Sequence, residues 1–250
     1  MSGHSKWSTI KRAKGKTDAA RGRIFTKLIR EITTAARASG GDQDTNPRLR
    51  TAILSAKAAN MPADNIKKAI QKGTGELEGV AYDEVQYEAY GPAGVAILIQ
   101  TLTDNRNRTV SEIRHILSKN GGNMGEAGCV SWMFHKLGQI EVDAATASED
   151  TVLEVALEAG AADVVSFGTS FSVTTAPHDL ETVKGALESK KIPIASAEVA
   201  MVPQTMIKLE ERPAQQMLKL MEALEDLDDV QKVYANFDID DSIMERLSSE

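Results

Sequence analysis

The chain has 250 residues and a mass of 27.0 kDa, and 42% of its residues are hydrophobic, enough for one or two domains with real cores and too much for global disorder. Its 29 Lys+Arg and 36 Asp+Glu give a net charge of −7, but residues 1–72 hold 16 bases and 5 acids while the remainder holds 13 and 31, so a +11 end adjoins a −18 body. The longest aliphatic run, Val95–Ile99, is far short of the ~20 apolar residues of a membrane span, and the basic start leads into no apolar secretory stretch.

The first 22 residues carry many bases and no sustained apolar period, and are expected to form a mobile arm or a loosely held helix. Residues 24–38 place Ile24, Phe25, Leu28, Ile29, Ile32, Ala35 and Ala36 at helical spacing. After the breaker SGGDQDTNP, Pro47 opens a second helix with Leu49, Ala52, Ile53 and Ala56 inward. A third follows NMPADN with Ile66, Ala69 and Ile70 inward, and stops at Gly73-Thr74-Gly75. Three short amphipathic helices predict a small helical domain.

Beyond GTGELEGVAYDE the period shortens. VQYEAY and Val95–Thr103 read as strands around the turn Gly91-Pro92-Ala93-Gly94. DNRNR reads as a polar loop, and Thr109-Val110-Ser111-Glu112 as a capping box for a helix through Lys119 with Ile113, Ile116 and Leu117 as its stripe. The glycine-rich NGGNMGEAG then leads to a strand CVSWMF. Strand 138–142, helix 149–159, strands 163–166 and 170–175, helix 178–190 and strand 194–202 spell βαββαβ, the ferredoxin-like split unit. Helix 213–226 and strand 230–237 have no sheet of their own and are expected to return to the earlier strands. The fold class is therefore α+β multidomain. It comprises a basic all-α domain (1–76), a discontinuous middle α+β domain (83–134 with 206–238) and a ferredoxin-like domain (135–205) inserted into it.

Catalytic and metal chemistry find little support. Cys129 and His135, placed on one strand six residues apart, stand roughly 20 Å from each other, beyond the reach of a thiolate–imidazole dyad. A single cysteine also excludes an intramolecular disulfide and a cysteine zinc site, and fits a reducing compartment. His4, His115, His135 and His178 have no metal-ligand spacing. Asp238, Asp240 and Asp241 lack the glycine and terminal glutamate of a calcium loop. Glu222, Glu225, Asp226, Asp228 and Asp229 read as a solvated helix end and turn. NGGNMGEAG matches no phosphate-loop pattern and precedes a strand, so it reads as a turn built on positive-φ glycines. The expectation is a non-enzyme with no cofactor and no metal.

Nucleic acid is the favoured partner. His4, Lys6, Trp7, Lys11, Arg12, Lys14, Arg21, Arg23 and Lys27 combine phosphate-binding cations with an indole able to stack on a base. Arg48, Arg50, Lys57, Lys67 and Lys68 extend the track over the helices. Asn105, Arg106, Asn107 and Arg108 concentrate two guanidinium forks and two amides suited to phosphates and base edges. Two alternatives stand beside this reading: a basic face that only keeps the chain solvated, and a loop held by Asx turns and ion pairs to the acidic domains. The absence of an aromatic strand motif argues against an RRM despite the ferredoxin-like pattern.

Gly3-His4-Ser5-Lys6-Trp7, Asn46-Pro47-Arg48-Leu49-Arg50, Asn60-Met61-Pro62 with Asp64-Asn65-Ile66, Tyr90-Gly91-Pro92, the run Leu102–Thr109, Gly121-Gly122-Asn123, and Asp228-Asp229-Val230-Gln231 with Val233-Tyr234 resemble the YebC/PmpR family over nearly the whole chain. Cys129 departs from the serine expected after the glycine-rich loop. The resemblance implies a three-domain cytoplasmic protein of the same architecture and a non-enzymatic regulator. Family members are described as DNA-binding transcriptional regulators. Mitochondrial relatives resemble translational activators, and bacterial members are connected with stalled ribosomes. The implied partner is thus duplex DNA or ribosomal RNA, with a protein partner for the acidic domains as a further expectation.

Overall fold

A computed structural model describes residues 18–168 and 170–249. The chain divides into two compact units: residues 132–205 form one, and the described residues on either side of them form the other. The architecture is α+β, with a helical N-terminal region, a middle α+β fold and a ferredoxin-like fold inserted into it.

The helical region consists of α1 (Asp18–Ser39), α2 (Pro47–Ala58) and α3 (Ala63–Thr74). Helix α1 begins six residues before the predicted start, because the alanines and arginines of DAARGR carry good helix propensity. Buried Asn46 caps α2, accepting from Leu49 N at 3.1 Å while its amide donates to Ala35 and Gly40 carbonyls at 2.8 and 2.9 Å. Pro47 follows at the first helical position, where a missing N–H costs nothing. Every predicted inward residue of α2 is buried, as are Ile32, Ala35, Ala36, Ile66 and Ala69. Gly73 does not stop α3. It lies inside the helix where α3 crosses α1, and a Cβ there would stand 2.5 Å from the Thr33 carbonyl oxygen. Gly75, at φ 84°, is the residue that ends it.

The middle fold is a four-stranded antiparallel sheet in the order β3-β1-β2-β9. Its strands are β1 (Asp83–Tyr90), β2 (Ala96–Thr103), β3 (Asn123–Met124) and β9 (Val230–Ala235). Helices α4 (Arg106–Lys119) and α7 (Glu211–Glu225) bury Ile113, Leu117, Met217 and Leu220 against Ile97 and Ile99. The C-terminal strand does return to this sheet, antiparallel to β2. A parallel pair of β8 (Ile207–Leu209) with β10 (Phe237–Ile239) and a final helix α8 (Asp241–Ser249) complete the fold, none of them foreseen.

Two segments differ from the sequence expectation. DNRNR is not a loop and Thr109 is not a cap: α4 starts at Arg106, capped by the Asn105 side chain on Arg108 N at 3.1 Å. Thr109 is buried inside the helix, its hydroxyl drawn to a carboxylate instead. CVSWMF is not a strand either. Residues 128–131 form a turn closed on buried Glu88, which accepts from the N–H groups of Gly128, Val130 and Ser131 at 2.7–2.8 Å. Cys129 and His135 therefore do not share a strand, and the strand-spacing argument about them falls away.

The inserted unit contains β4 (Phe134–Asp143), α5 (Glu149–Glu158), β5 (Asp163–Ser166), β6 (Ser170–Thr175), α6 (Leu180–Ser189) and β7 (Ile194–Pro203). Its sheet runs β5-β6-β4-β7 with every neighbouring pair antiparallel, the ferredoxin-like order. Ile140, Val142, Phe171 and Val173 face α5 and α6 in its core. The opposite positions, Gln139, Glu141, Ser172, Thr174, Ser196 and Glu198, carry no lysine, arginine, phenylalanine, tyrosine or tryptophan, and His135 lies further along β4 on the same face.

Candidate nucleic-acid interface

The candidate cations separate into two groups. His4, Lys6, Trp7, Lys11, Arg12 and Lys14 lie outside the described residues. Lys57 on α2 and Lys67 and Lys68 on α3 are exposed, with no carboxylate partner among the described residues. Arg37 and Lys72, absent from the sequence candidates, share that condition. The Arg37 backbone passes directly beside Gly73, so these two cations spring from adjoining turns of α1 and α3.

The other group is engaged by the protein itself. Arg21 is exposed on the first turns of α1. Arg23 Nη2 stands 3.3 Å from Asp226, and Lys27 Nζ donates to the Glu225 carbonyl at 2.6 Å. Arg48 donates to Glu31 from Nε (2.7 Å) and Nη2 (3.2 Å) and reaches Glu84 on β1 at 2.6 Å. Hydrogen bonding to Glu31 above all, opposed by burial and reinforced by Glu84, raises the Arg48 pKa. Arg50 spans the α1–α2 loop, donating to the Gln43 and Asp44 carbonyls at 3.0 Å. Arg106 pairs with Asp83 at 2.8 Å on the surface, and Asn107 is exposed, its carbonyl accepting from Ser111.

Arg108 leads to the centre of the arrangement. It donates to Asp104 at 2.6 Å and to both oxygens of Asp229, at 3.0 and 2.8 Å. Asp229, its side chain only 4% exposed, also accepts from Arg30 of α1, from the Thr109 hydroxyl at 2.5 Å and from Thr103 at 3.2 Å. Burial works to raise its pKa, but the bonds from Thr109, Arg30 and Arg108 prevail and hold it at about 2. Arg108 is pushed up, first by Asp229 and then by Asp104. Arg30 donates as well to the Leu102 carbonyl at 2.8 Å and lies 5.3 Å from the ring centre of Tyr82. One carboxylate thus ties the first helix to the sheet and to the start of α4. The acidic end of α7 and its following turn are therefore not simply solvated: Asp229 is buried, and Asp226 and the Glu225 carbonyl meet cations of α1.

Residues 5–76 match the TACO1/YebC protein N-terminal domain, and residues 82–237 match the TACO1/YebC second and third domain. The chain belongs to the TACO1/YebC family. A protein of Desulfotalea psychrophila named a "probable transcriptional regulatory protein" is 58% identical over 249 residues, covering 99% of this chain and all of that one. A protein of Desulfosudis oleivorans with the same name is 59% identical over 245 residues, 98% of this chain and again all of the relative. The crystal structure of a conserved hypothetical protein from Aquifex aeolicus is 50% identical, with a TM-score of 0.80 over 90% of this chain and 93% of that one.

Within this TACO1/YebC chain, the sequence candidates leave out Arg30, and Asp229, expected to be solvated, is buried. A signal for the first existed: Arg23, Lys27 and Arg30 are spaced four and three apart and share one face of α1. Nothing local distinguishes Asp229 from its neighbour Asp228, which is exposed. Glu88 was missed for the same reason, since a glutamate in a strand reads as solvent-facing until the turn that covers it is known.

Proposed function

We propose that the protein is a non-enzymatic nucleic-acid-binding regulator of gene expression acting in the cytoplasm. In this reading it is a DNA-binding transcriptional regulator of the YebC type. The observation that carries it is the set of exposed lysines on α2 and α3, Lys57, Lys67 and Lys68, without carboxylate partners among the described residues, on a chain end that bears a +11 balance. His4, Lys6, Trp7, Lys11, Arg12 and Lys14 would add phosphate contacts, with Trp7 stacking on a base. Arg106 and Arg108 would make secondary contacts from α4, with Asn105 and Asn107 beside them. The names of the relatives from Desulfotalea psychrophila and Desulfosudis oleivorans support the regulatory part of this reading.

A second reading has ribosomal RNA as the target and translation as the process. The −18 body favours it, because such a body is repelled by naked duplex but tolerates insertion of a basic end into a crevice of RNA. The cation-free, aromatic-free sheet positions of the inserted unit speak against RNA binding there and suit a basic protein partner. Co-sedimentation with ribosomes over a salt series, with excess duplex DNA as competitor, separates the two. Release into the DNA-bound fraction supports the transcriptional reading; retention on ribosomes replaces it with the translational one.

A further inference from the structure

The contacts between α1 and the acidic turn leave a set of cations with only borrowed partners. Arg23, Lys27 and Arg30 form a stripe on one face of α1, and Arg108 approaches the same turn from α4. One short segment meets all four, through the Glu225 carbonyl, the Asp226 carboxylate and Asp229, while Arg30 also donates to the Leu102 carbonyl and Arg108 to Asp104. The contacts that join α1 to this turn are ion pairs and hydrogen bonds. Polar seams of this kind open more readily than apolar ones. The outer pair is the weak link: Arg23 and Asp226 are 38% and 45% exposed, and pairs so open to water contribute little. Arg30 and Asp229, at 12% and 4%, are the fixed point beneath it.

We propose that the α1 stripe is a second polyanion surface, covered in the free protein by residues 225–229, and that a nucleic-acid phosphate displaces Asp226 from Arg23. The turn acts as a built-in competitor: it lowers affinity for weak polyanions and yields to a strand already held by the exposed lysines. This inference rests on the nucleic-acid reading given above.

The test compares Asp226→Asn with Asp228→Asn in the full chain, both exposed and both removing one negative charge. Binding of a fluorescein-labelled 20-base-pair duplex and of an RNA hairpin is followed by anisotropy over a salt series. Asp226→Asn should bind about three- to tenfold more tightly, with the log–log salt slope steeper by ~0.7–0.9, the equivalent of one added phosphate. Asp228→Asn should stay within about twofold of the parent. Placing Arg23→Ala beneath Asp226→Asn should abolish the gain. Equal effects of the two aspartate variants, or a gain that survives Arg23→Ala, would overturn this inference while leaving the nucleic-acid reading intact. Failure of the parent protein to bind either probe would bring down both.

Discussion

The inner and outer faces of the helical region use the same residue types in opposite ways. On the inner face Arg23, Lys27, Arg30 and Arg48 are taken up by Asp226, the Glu225 carbonyl, Asp229, Glu31 and Glu84. On the outer sides of α2 and α3, Lys57, Lys67 and Lys68 face solvent. Basic density therefore measures two things at once, attachment of one part of the molecule to another and readiness to meet an external polyanion. Arginine dominates the first, where its planar fork serves several acceptors together; lysine dominates the second, as a mobile point charge.

The largest effect that separates the faces should come from Asp229→Ala. It leaves Arg30 nearly buried without its carboxylate, and a loss of about 3–5 kcal/mol is expected in urea unfolding. A loss below ~1 kcal/mol would show that the inner cations are satisfied by water, and would erase the contrast.

Acid provides a second measure. The native pKa of Asp229, about 2, lies below the ~4 of an unfolded chain, so its stabilisation is complete above pH ~4 and disappears as the pH falls towards 2. About 2 kcal/mol should be lost across that window. The pH dependence should flatten in Asp229→Asn, as read by unfolding free energies at stepped pH. Glu88 adds to the same acid loss: burial opposes its ionisation, but the Val130, Gly128 and Ser131 N–H groups overcome it and lower its pKa.

Glu88→Gln tests whether that second buried carboxylate belongs with the inner cations or apart from them. Its oxygens accept from three backbone N–H groups and from the Ser131 side chain, and an amide cannot replace both oxygens, so about 1–3 kcal/mol should be lost. Hydrogen exchange should quicken at Val130 and Ser131 while the Thr33 and Ala36 amides of α1 stay protected. Equal quickening in α1 would show that the two carboxylates form one cooperative unit.

The smallest change in stability should follow from the triple replacement Lys57→Ala, Lys67→Ala and Lys68→Ala, within about 0.5 kcal/mol of the parent. Its effect should appear in binding, where the log–log salt slope should fall by ~0.7–0.9 for every phosphate that the missing lysines no longer neutralise. Retained affinity with an unchanged slope would remove the outer face from the interface.

The helices and the inserted unit were legible because their apolar residues repeat at a period set by local geometry. Leu49, Ala52, Ile53 and Ala56 announce a helix face to anyone counting in threes and fours, and all four are buried. The ferredoxin-like elements match to within a few residues because β6 and the second half of β4 alternate between one covered face and one open face, and α5 and α6 each bury one apolar stripe. The start of α4 was misread because the sequence points to Thr109 as the cap, a place that Asn105 fills. The choice between them was made by Asp229, 120 positions from Thr109, whose carboxylate claims the Thr109 hydroxyl. Likewise 129–134 looked like a strand by composition, but Glu88 captures its N–H groups and bends it into a turn.

By itself the sequence determined the family, the α+β class, the βαββαβ order and the concentration of positive charge at one end. These depend on residue type and on spacing over ten or fifteen positions. Only the tertiary structure decided which cations are spent and which are available. For Arg30 and Arg108 that choice turns on a buried carboxylate, Asp229, whose partners Arg30, Thr103, Arg108 and Thr109 come from three other elements of the chain. An ion pair forms where folding brings opposite charges together in a place from which water is removed, and linear order does not reveal where that place is.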